Sequence, residues 1–514
     1  MPETSSRNKR IAKNTLMLYF RQFVIMLVSL FTVRVILRAL GEEDYGIYNV
    51  VAGVVVLFTF VNDAMAQATQ RFLNFSLGHD DENNVREVFS ASMLIHAAIA
   101  VLFFILAESV GLWFVSTQLN IPENRIDATA VVYQLVIVTS LFNIIKVPYN
   151  AVIIAYEKMS FYAGVSIVEV FLKILVAFLI AKAPTDKLVF YTFLMMWVSI
   201  IMFLVYWLFC RISFTPIRYR KVNDRHLAWE MASFSGWSLL GATANMCNHQ
   251  GTSIVLNMFT NVTVNAAMGI ANQVNAAVYS FVQNFRTAFN PQIVKSWASG
   301  DKKYFDFLVF SASKVSFFLC LYFVVPIFLC SDFLLTVWLK EVPAYSSVFV
   351  KLVLLCSLVE SVNGAMVIAA QAYGDIKKYQ LIISCMITAN LPLTIVAFML
   401  GAGPVCVLII RLILDSIITL WRIWFLRHRI DISARSFMKQ VILRCIACAA
   451  ISFFGTWIIC RVFDSSWLQL VFCIIISVLL TSMLVLLIGL SKKERHLVLY
   501  KLKGFCLRHA MNTK

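Results

Sequence analysis

Charged side chains recur inside the most hydrophobic stretches of this sequence, and their types suit the binding of anions. Five of them are cations within apolar segments: Arg21, Arg34, Lys146, Arg286 and Lys314. A guanidinium can bind two oxygens of one phosphate group, whereas an ammonium group binds as a point charge. Because an unpaired charge is costly in hydrocarbon, such side chains face other helices or a hydrated cavity. We therefore predict that these cations line a polar chamber.

Amide and imidazole side chains are concentrated between Phe234 and Asp301, where they can donate and accept hydrogen bonds with sugar hydroxyls. The candidates are Asn245, Asn248, His249, Gln250, Asn272 and Asn275. The competing interpretation is that they join helices to one another, at about 0.6–2 kcal/mol for each hydrogen bond. Two carboxylates, Asp63 and Glu360, are candidates for binding a proton or a cation, and each can equally be the structural partner of an arginine.

The elements that carry these residues are predicted to be membrane-spanning helices. The chain has 514 residues, of which 60% are hydrophobic and 14% charged, well below the charged fraction of about 25% in soluble domains. A spanning helix needs about 20 mostly apolar residues, and we count about 14 such segments. We expect an all-α integral membrane protein, with spans near 16–40, 46–69, 88–112, 130–155, 161–182, 188–210, 230–258, 264–290, 304–330, 345–372, 379–401, 403–426, 437–460 and 466–490.

The basic residues predict the orientation of the chain. The formal net charge is +17, and most Lys and Arg residues fall in alternate loops, together with both termini. Cytoplasmic loops carry such an excess, so we place both termini in the cytoplasm. This distribution explains the positive charge without a nucleic-acid partner. The first apolar segment is also too long for a cleavable signal peptide.

No motif predicts catalysis, a metal or a cofactor. The 12 cysteines lie mostly inside apolar segments, and we interpret the pair Cys445 and Cys448 as packing residues. There is no zinc-ligand spacing, P-loop or dinucleotide fingerprint. The longest outer loops, near 113–129 and 331–344, are too short for the periplasmic domain of a glycan polymerase or ligase. We also interpret the i,i+4 pairs Glu169–Lys173 and Arg411–Asp415 as mutually neutralising.

The two halves of the sequence resemble each other. Short matches align Gly46–Val51 with Gly269–Val274, Phe60–Asp63 with Phe281–Asn284, and Ala155–Tyr156 with Ala372–Tyr373. Their nearly constant spacing covers an even number of spans, so the repeats have the same orientation. We predict two six-helix lobes, 1–225 and 226–430, followed by two accessory spans and a basic cytoplasmic tail in 431–514.

Several stretches carry a family resemblance that extends over essentially the whole chain. They are LGEEDYGIYNVVAG and RFLNFSLG around the second span, PYNAVIIAYEK at the end of the fourth, and GWSLLGATANMCNHQGTSIVLNMF with MGIANQVNAAV in the seventh and eighth. They resemble the O-antigen and lipopolysaccharide flippases of the multidrug/oligosaccharidyl-lipid/polysaccharide exporter superfamily. The resemblance implies a V-shaped pair of lobes in the bacterial inner membrane. It also implies alternating-access transfer of an undecaprenyl-pyrophosphate-linked oligosaccharide to the periplasmic leaflet, driven by an ion gradient.

Membrane lipids and other polysaccharide-assembly proteins are the partners consistent with this resemblance. Three alternatives remain open. A lipid II-type flippase needs similar chemistry and is not separated by the chamber cations. A multidrug antiporter should prefer an acidic or aromatic chamber, whereas the intramembrane charges here lean basic. A membrane glycan polymerase or ligase is a more remote alternative.

Overall fold

The described part of the chain is helical throughout, without a strand. The computed structural model describes residues 14–25, 28, 32, 35–36, 39–41, 44, 47–48, 51, 60–79, 81–117, 122–180, 183, 186–218, 225–260, 262–339, 342–460, 467–491 and 494–495. Arg34 lies outside these residues. The side chains of 60–64, 116, 225, 228, 250, 257, 262 and 459–460 also lie outside the description, and these include Asp63 and Gln250.

Seven long helices follow the helical residues 14–25. They are α1 (Phe60–Gly78), α2 (Glu82–Leu106), α3 (Ile126–Ala155), α4 (Met159–Leu179), α5 (Lys187–Ser213), α6 (Arg225–Phe259) and α7 (Val262–Ala298). Helix α2 continues through a π-helical turn, Ala107–Gly111, into Leu112–Thr117. The hydroxyl of Tyr133 donates a 2.6 Å hydrogen bond to the carbonyl of Ala107 at this turn, an insertion of the kind that accompanies π turns.

The remaining helices are α8 (Lys302–Leu329), α9 (Ser331–Leu339), α10 (Ser346–Tyr373), α11 (Lys377–Thr388), α12 (Asn390–Met399), α13 (Cys406–Ile430), α14 (Leu443–Cys460) and α15 (Trp467–Leu484). A short helix, Ala434–Phe437, and a π turn, Met438–Ile442, lead into α14, and a further π turn, Val485–Gly489, follows α15. Basic side chains occupy the last turn of α13, where they complement its exposed carbonyls.

Nine of the described helical segments are long and apolar enough to cross a membrane. They are Glu82–Val115, Glu123–Ala155, Met159–Leu179, Lys187–Ser213, Lys302–Leu329, Ser346–Tyr373, Lys377–Met399, Ala434–Ile458 and Trp467–Gly489. Helices α6 and α7 are longer than most of these, but they are outside this set. Their polar side chains, the same ones that drew attention in the sequence, lower their hydropathy. The all-helical membrane class is thus confirmed, whereas the count of about 14 spans stays a prediction.

The chain forms two compact units. Unit 1 comprises Met1–Ala244, Thr287–Lys302 and Gly374–Ile382. Its core is built by α2, α3 and α5, with Tyr133, Ile137 and Leu188 fully buried. At one end of these helices Arg125 bridges two carboxylates: its Nε donates a 2.8 Å hydrogen bond to Asp44 Oδ1, and its Nη1 pairs with Asp186. Asp186 also caps the N-terminus of α5.

Unit 2 comprises Asn245–Arg286, Lys303–Tyr373 and Ile383–Lys514. Helices α8 and α10 are its most enclosed elements, with 72% of their most apolar segment buried, compared with 22% for the segment Trp467–Gly489. The large exposed apolar side chains of α15, such as Leu468 and Leu479, form a surface suited to lipid contact. The interpretation of the two C-terminal helices as lipid-facing accessories stays a prediction.

The structure adds a point of likeness between the sequence repeats. Helix α3 ends at Ala155 and is followed by a turn in which Glu157 has φ of 57°, and helix α10 ends at Tyr373 and is followed by Gly374 with φ of 99°. The offset that aligns Ala155–Tyr156 with Ala372–Tyr373 also aligns Glu157 with Gly374. A left-handed residue costs about 1–2 kcal/mol when it is not glycine. The conformation of Glu157 must therefore be stabilised by its surroundings.

Candidate functional site

Two groups of charged side chains lie within the helices, one in each unit. The first charged cluster, in unit 1, consists of Arg21, Lys146, Glu169 and Lys173. Lys173 Nζ lies 2.7 Å from Glu169 Oε1, so the predicted i,i+4 pair is present. Lys146 and Arg21 both lie within electrostatic range of the Glu169 carboxylate. With three cations around one carboxylate, the cluster keeps a formal surplus of positive charge.

Two tyrosines complete the first charged cluster. The guanidinium of Arg21 lies 4.5 Å from the ring centroid of Tyr162, and Lys146 Nζ lies 5.8 Å from the centroid of Tyr206. Aromatic faces attract cations and hold them without neutralising them. Lys146 also donates a 3.1 Å hydrogen bond to Asn143 Oδ1 on its own helix. The arrangement positions two cations beside one carboxylate.

The second charged cluster, in unit 2, consists of Tyr279, Arg286, Glu360, Arg411 and Asp415. Arg286 Nη1 donates a 3.0 Å hydrogen bond to the Tyr279 hydroxyl, which is also hydrogen-bonded to Glu360. Arg411 Nη2 lies 3.8 Å from Glu360 Oε2, and Arg411 Nε lies 3.6 Å from Asp415 Oδ2. Two arginines thus face two carboxylates, and the cluster is formally neutral.

A glycine makes room for Arg286. A Cβ atom at Gly364 would lie 2.3 Å from Arg286 Nε, closer than side chains can approach. Gly364 and Glu360 are four residues apart on α10, so they share one face of that helix. The face therefore offers both a carboxylate and the space for a guanidinium. The Glu360 side chain is 44% exposed.

Lys314 has a different environment from the other predicted chamber cations. Its side chain is only 2% exposed, and Nζ lies 2.5 Å from Glu494 Oε2. Ser311 donates a 2.7 Å hydrogen bond to the other oxygen of the same carboxylate. A buried ion pair with satisfied hydrogen bonds holds helices together, and it leaves no polar face for a ligand. We therefore leave Lys314 out of the proposed binding surface.

The polar candidates of α6 and α7 divide into two groups. Asn248 accepts a 2.9 Å hydrogen bond from Asn390 Nδ2, and Asn275 accepts one from the hydroxyl of Ser357, so both join helices of unit 2. Asn245 and His249 are exposed and Asn272 is half-buried. His249 is also within electrostatic range of Arg411. The side chain of Gln250 lies outside the described residues.

Sequence reasoning missed the tyrosines and undervalued one arginine. Tyr279 precedes Arg286 by seven residues, a spacing that places both on one helix face, and this signal was available. The pairing of Arg411 with Asp415 was predicted from spacing, but its second partner, Glu360, lies on another helix. In the described part of the chain there is no group of three or more His, Cys, Asp or Glu side chains that could hold a metal ion.

Residues of both charged clusters lie in helices long and apolar enough to cross a membrane, and solved structures of membrane transporters share the fold. A multidrug resistance MATE family transporter of the MOP superfamily, solved in an outward-facing conformation, superposes with a TM-score of 0.71 at 13% identity, over 83% of this chain and 96% of that one. A MOP superfamily transporter from Pyrococcus furiosus gives a TM-score of 0.70 at 12% identity, over 84% and 97%. At these identities the likeness concerns the fold alone.

The sequence itself gives the family. Residues 11–299, more than half of the chain, match the polysaccharide biosynthesis protein family, and the chain belongs to that family. A comparison with curated proteins gives no match. The expectation drawn from the stretches around the second, fourth, seventh and eighth spans is therefore confirmed at the level of family and fold.

Proposed function

We propose that this protein is a flippase that moves an undecaprenyl-pyrophosphate-linked oligosaccharide from the cytoplasmic to the periplasmic leaflet of the bacterial inner membrane. The product would serve lipopolysaccharide, O-antigen or capsule biosynthesis. The membership of the polysaccharide biosynthesis family and the transporter fold support membrane export. The cargo is the part of the proposal that depends on the charged clusters.

The observation that carries the cargo assignment is the positive surplus of the first charged cluster. Among the residues that the structure describes, Arg21, Lys146 and Lys173 outnumber Glu169, the carboxylate with which they interact. A pyrophosphate carries negative charge in a hydrophobic setting, where fixed cations stabilise it most strongly. A chamber built for cationic drugs would need the opposite surplus. For the MOP superfamily transporter from Pyrococcus furiosus, a reversed polarity of the binding pocket suggests a different function, and we apply the same reasoning here.

The second charged cluster suits a role in energy coupling. Glu360 is a half-buried carboxylate whose partners, Tyr279 and Arg411, can rearrange when it gains a proton or an ion. The sequence contains no nucleotide-binding motif, so a proton or sodium gradient is the proposed source of energy. Asp63, the other candidate, lies in α1, and its side chain is outside the described residues. No catalytic step is needed for this function, and we propose transport without chemical change of the cargo.

The test is a quenching assay in proteoliposomes that contain the purified protein and a fluorescent undecaprenyl-pyrophosphate-linked oligosaccharide. A membrane-impermeant reductant bleaches outer-leaflet label, so transfer between leaflets appears as an increase in the bleached fraction. We expect Lys146→Ala to slow transfer and Lys146→Arg to retain most of it. Lys187→Ala is the control, because Lys187 is exposed at the start of α5.

Three outcomes would contradict the proposal. Equal transfer by empty liposomes and by the protein would remove the flippase assignment. Transfer of cationic dyes, but not of the pyrophosphate lipid, would favour a multidrug antiporter. Equal rates for Lys146→Ala and the unaltered protein would remove the first charged cluster from cargo binding.

In cells, loss of the protein should cause the lipid-linked repeat unit to accumulate on the cytoplasmic face.

A further inference from the structure

Two turns related by the sequence repeat are each held by a helix from the other half of the chain. The first turn, Tyr156–Lys158, follows α3, and the second turn, Gly374–Ile376, follows α10. Each contains a residue with positive φ, Glu157 in the first and Gly374 in the second. Both turns belong to unit 1. The basic residues around them predict that both face the cytoplasm.

The first turn is held by α7, a helix of the second sequence half. Lys295 Nζ donates a 2.6 Å hydrogen bond to the carbonyl of Ala155 and lies 3.1 Å from Glu157 Oε1. Gln292 Nε2 donates a 2.6 Å hydrogen bond to the same carboxylate oxygen. The Glu157 side chain is 1% exposed. A cation is therefore placed at the carbonyl end of α3, where the helix dipole favours it, and it stabilises a buried carboxylate.

The second turn is held by α1, a helix of the first sequence half. A Cβ at Gly374 would lie 2.5 Å from Arg71 Nη2, so the guanidinium packs directly on the glycine. The Arg71 guanidinium lies 4.4 Å from the ring centroid of Phe72 and 5.1 Å from that of Phe234. Its Nη1 is 4.0 Å from Glu230 Oε1. Arg71 is 7% exposed, so aromatic faces and a carboxylate lie beside a largely buried guanidinium.

The sequence repeat relates the two turns to each other, and it also relates the two helix ends that contact them. The offset that aligns Phe60–Asp63 with Phe281–Asn284 carries Arg71 to Gln292, and Gln292 is one of the residues that contact the first turn. The same ends of α1 and α7 also touch each other, because a Cβ at Gly78 would lie 2.6 Å from Ala298 Cβ. Each repeat therefore supplies a turn and also the helix end that contacts the turn of the other repeat.

We propose that these contacts form a reciprocal lock, consisting of the two turns with Arg71, Gln292 and Lys295, which keeps the predicted cytoplasmic helix ends of the two repeats together. The lock is engaged in this structure. We expect its two contacts to release together, because α7 and the second turn belong to one repeat, and α1 and the first turn belong to the other. The contacts of the lock do not depend on the proposed function. Its role, which is to control loading of cargo from the cytoplasm, rests on that proposed function.

The test measures the accessibility of a buried thiol beside the lock. Ser296 is 3% exposed and follows Lys295, so Ser296→Cys introduces an isosteric reporter. Its alkylation by N-ethylmaleimide is followed in detergent by mass spectrometry of that peptide, since the chain has 12 cysteines of its own. We expect Glu157→Gln to raise the alkylation rate by about tenfold, the effect of a modest shift in a two-state equilibrium. We expect Arg71→Met, at the other contact, to do the same.

Two further variants separate the lock from general loosening. Lys351→Met breaks an ion pair in unit 2, in which Lys351 Nζ lies 3.2 Å from Asp332 Oδ2. This variant should leave the alkylation rate unchanged. Glu157→Lys should raise the alkylation rate at least as much as Glu157→Gln does, because it places a second cation beside Lys295. If Glu157→Gln raised the alkylation rate but Arg71→Met did not, the proposal that the two contacts release together would be overturned. A lower thermal midpoint with no change in rate in either variant would overturn the lock.

The alkylation measurement needs no cargo, so it distinguishes a failed lock from a failed flippase assignment. If alkylation follows the expected pattern while the pyrophosphate lipid is not transferred, the lock stands and the cargo assignment fails. If the lipid is transferred but the variants alkylate at the rate of the unaltered protein, the lock fails and the cargo assignment stands.

Discussion

The guanidinium of Arg286 donates a 3.0 Å hydrogen bond to the hydroxyl of Tyr279, which lies two turns earlier on the same helix. This bond holds Arg286 in one orientation, and the missing side chain of Gly364 leaves space for it. The hydroxyl of Tyr279 is in turn bonded to Glu360. The position of a cation in unit 2 is thereby tied to the state of a half-buried carboxylate.

Changing Arg286 should impair transport without unfolding the protein. We expect Arg286→Ala to reduce the transfer rate by about tenfold, because hydrogen bonds to charged groups contribute about 1.5–3 kcal/mol. Gly364→Ala should have a similar effect although it removes no charge, since its Cβ would displace Arg286. The quenching assay measures both rates, with the exposed Arg427→Ala as the control. Normal transfer by Arg286→Ala at equal protein level would contradict this role.

Neutralising Glu360 should uncouple transport from its driving gradient. In Glu360→Gln the amide can still accept a hydrogen bond from Tyr279, but it can no longer bind a proton or attract a cation. We expect transfer down a cargo gradient to persist, and the acceleration by an imposed proton or sodium gradient to be lost. Both gradients should be imposed separately in the quenching assay. If the imposed gradient still accelerated transfer in Glu360→Gln, another residue would couple transport to the gradient, and Asp63 would be the next candidate.

The ion pair between Lys314 and Glu494 should contribute to stability and not to transport. Removing one partner of a buried pair costs about 3–5 kcal/mol because it leaves an isolated charge. We therefore expect Lys314→Met to lower the thermal midpoint in detergent, and the double variant with Glu494→Gln to recover part of the loss. Transfer per folded molecule should be normal in both. A specific loss of transport at an unchanged midpoint would return Lys314 to the binding surface.

The protein should lose stability in acid through Asp186. Burial acts to raise the pKa of this carboxyl, but hydrogen bonds from the Val189 and Leu188 amides and from Arg125 outweigh it, and the net pKa is lowered below its usual 3.8. A depressed pKa stabilises the folded state above the unfolded value, and this contribution disappears as the pH falls through the folded pKa. We expect the thermal midpoint to fall from about pH 5 downward.

The variant Asp186→Asn should start from a lower midpoint at pH 7 and show a smaller decrease in acid. The matched control is Asp127→Asn, since Asp127 is exposed near the start of α3. Thermal unfolding in detergent at a series of pH values measures both. A parallel decrease in the unaltered protein and in Asp186→Asn would show that other carboxylates cause the acid sensitivity.

Local sequence features predicted the properties that depend on residues close together in the sequence. Hydropathy predicted an all-helical membrane protein, and spacing predicted the contact of Glu169 with Lys173. Partners that depend on how helices pack were beyond this reasoning. Lys314 was expected in a chamber, yet its partner lies 180 residues later. Arg411 shows the same limit, because the i,i+4 rule found Asp415 but not Glu360 on α10.

Each of the two turns is contacted by a helix of the other repeat, and these contacts limit how the two repeats can differ in sequence. The left-handed position is occupied by Gly374 in one turn and by Glu157 in the other. The strain of that glutamate is tolerated because its carboxylate meets Lys295 and Gln292, which come from the sister copy. Each copy is thus a partner in the folding of the other. One repeat alone would therefore lack residues that contact its own turn in this structure.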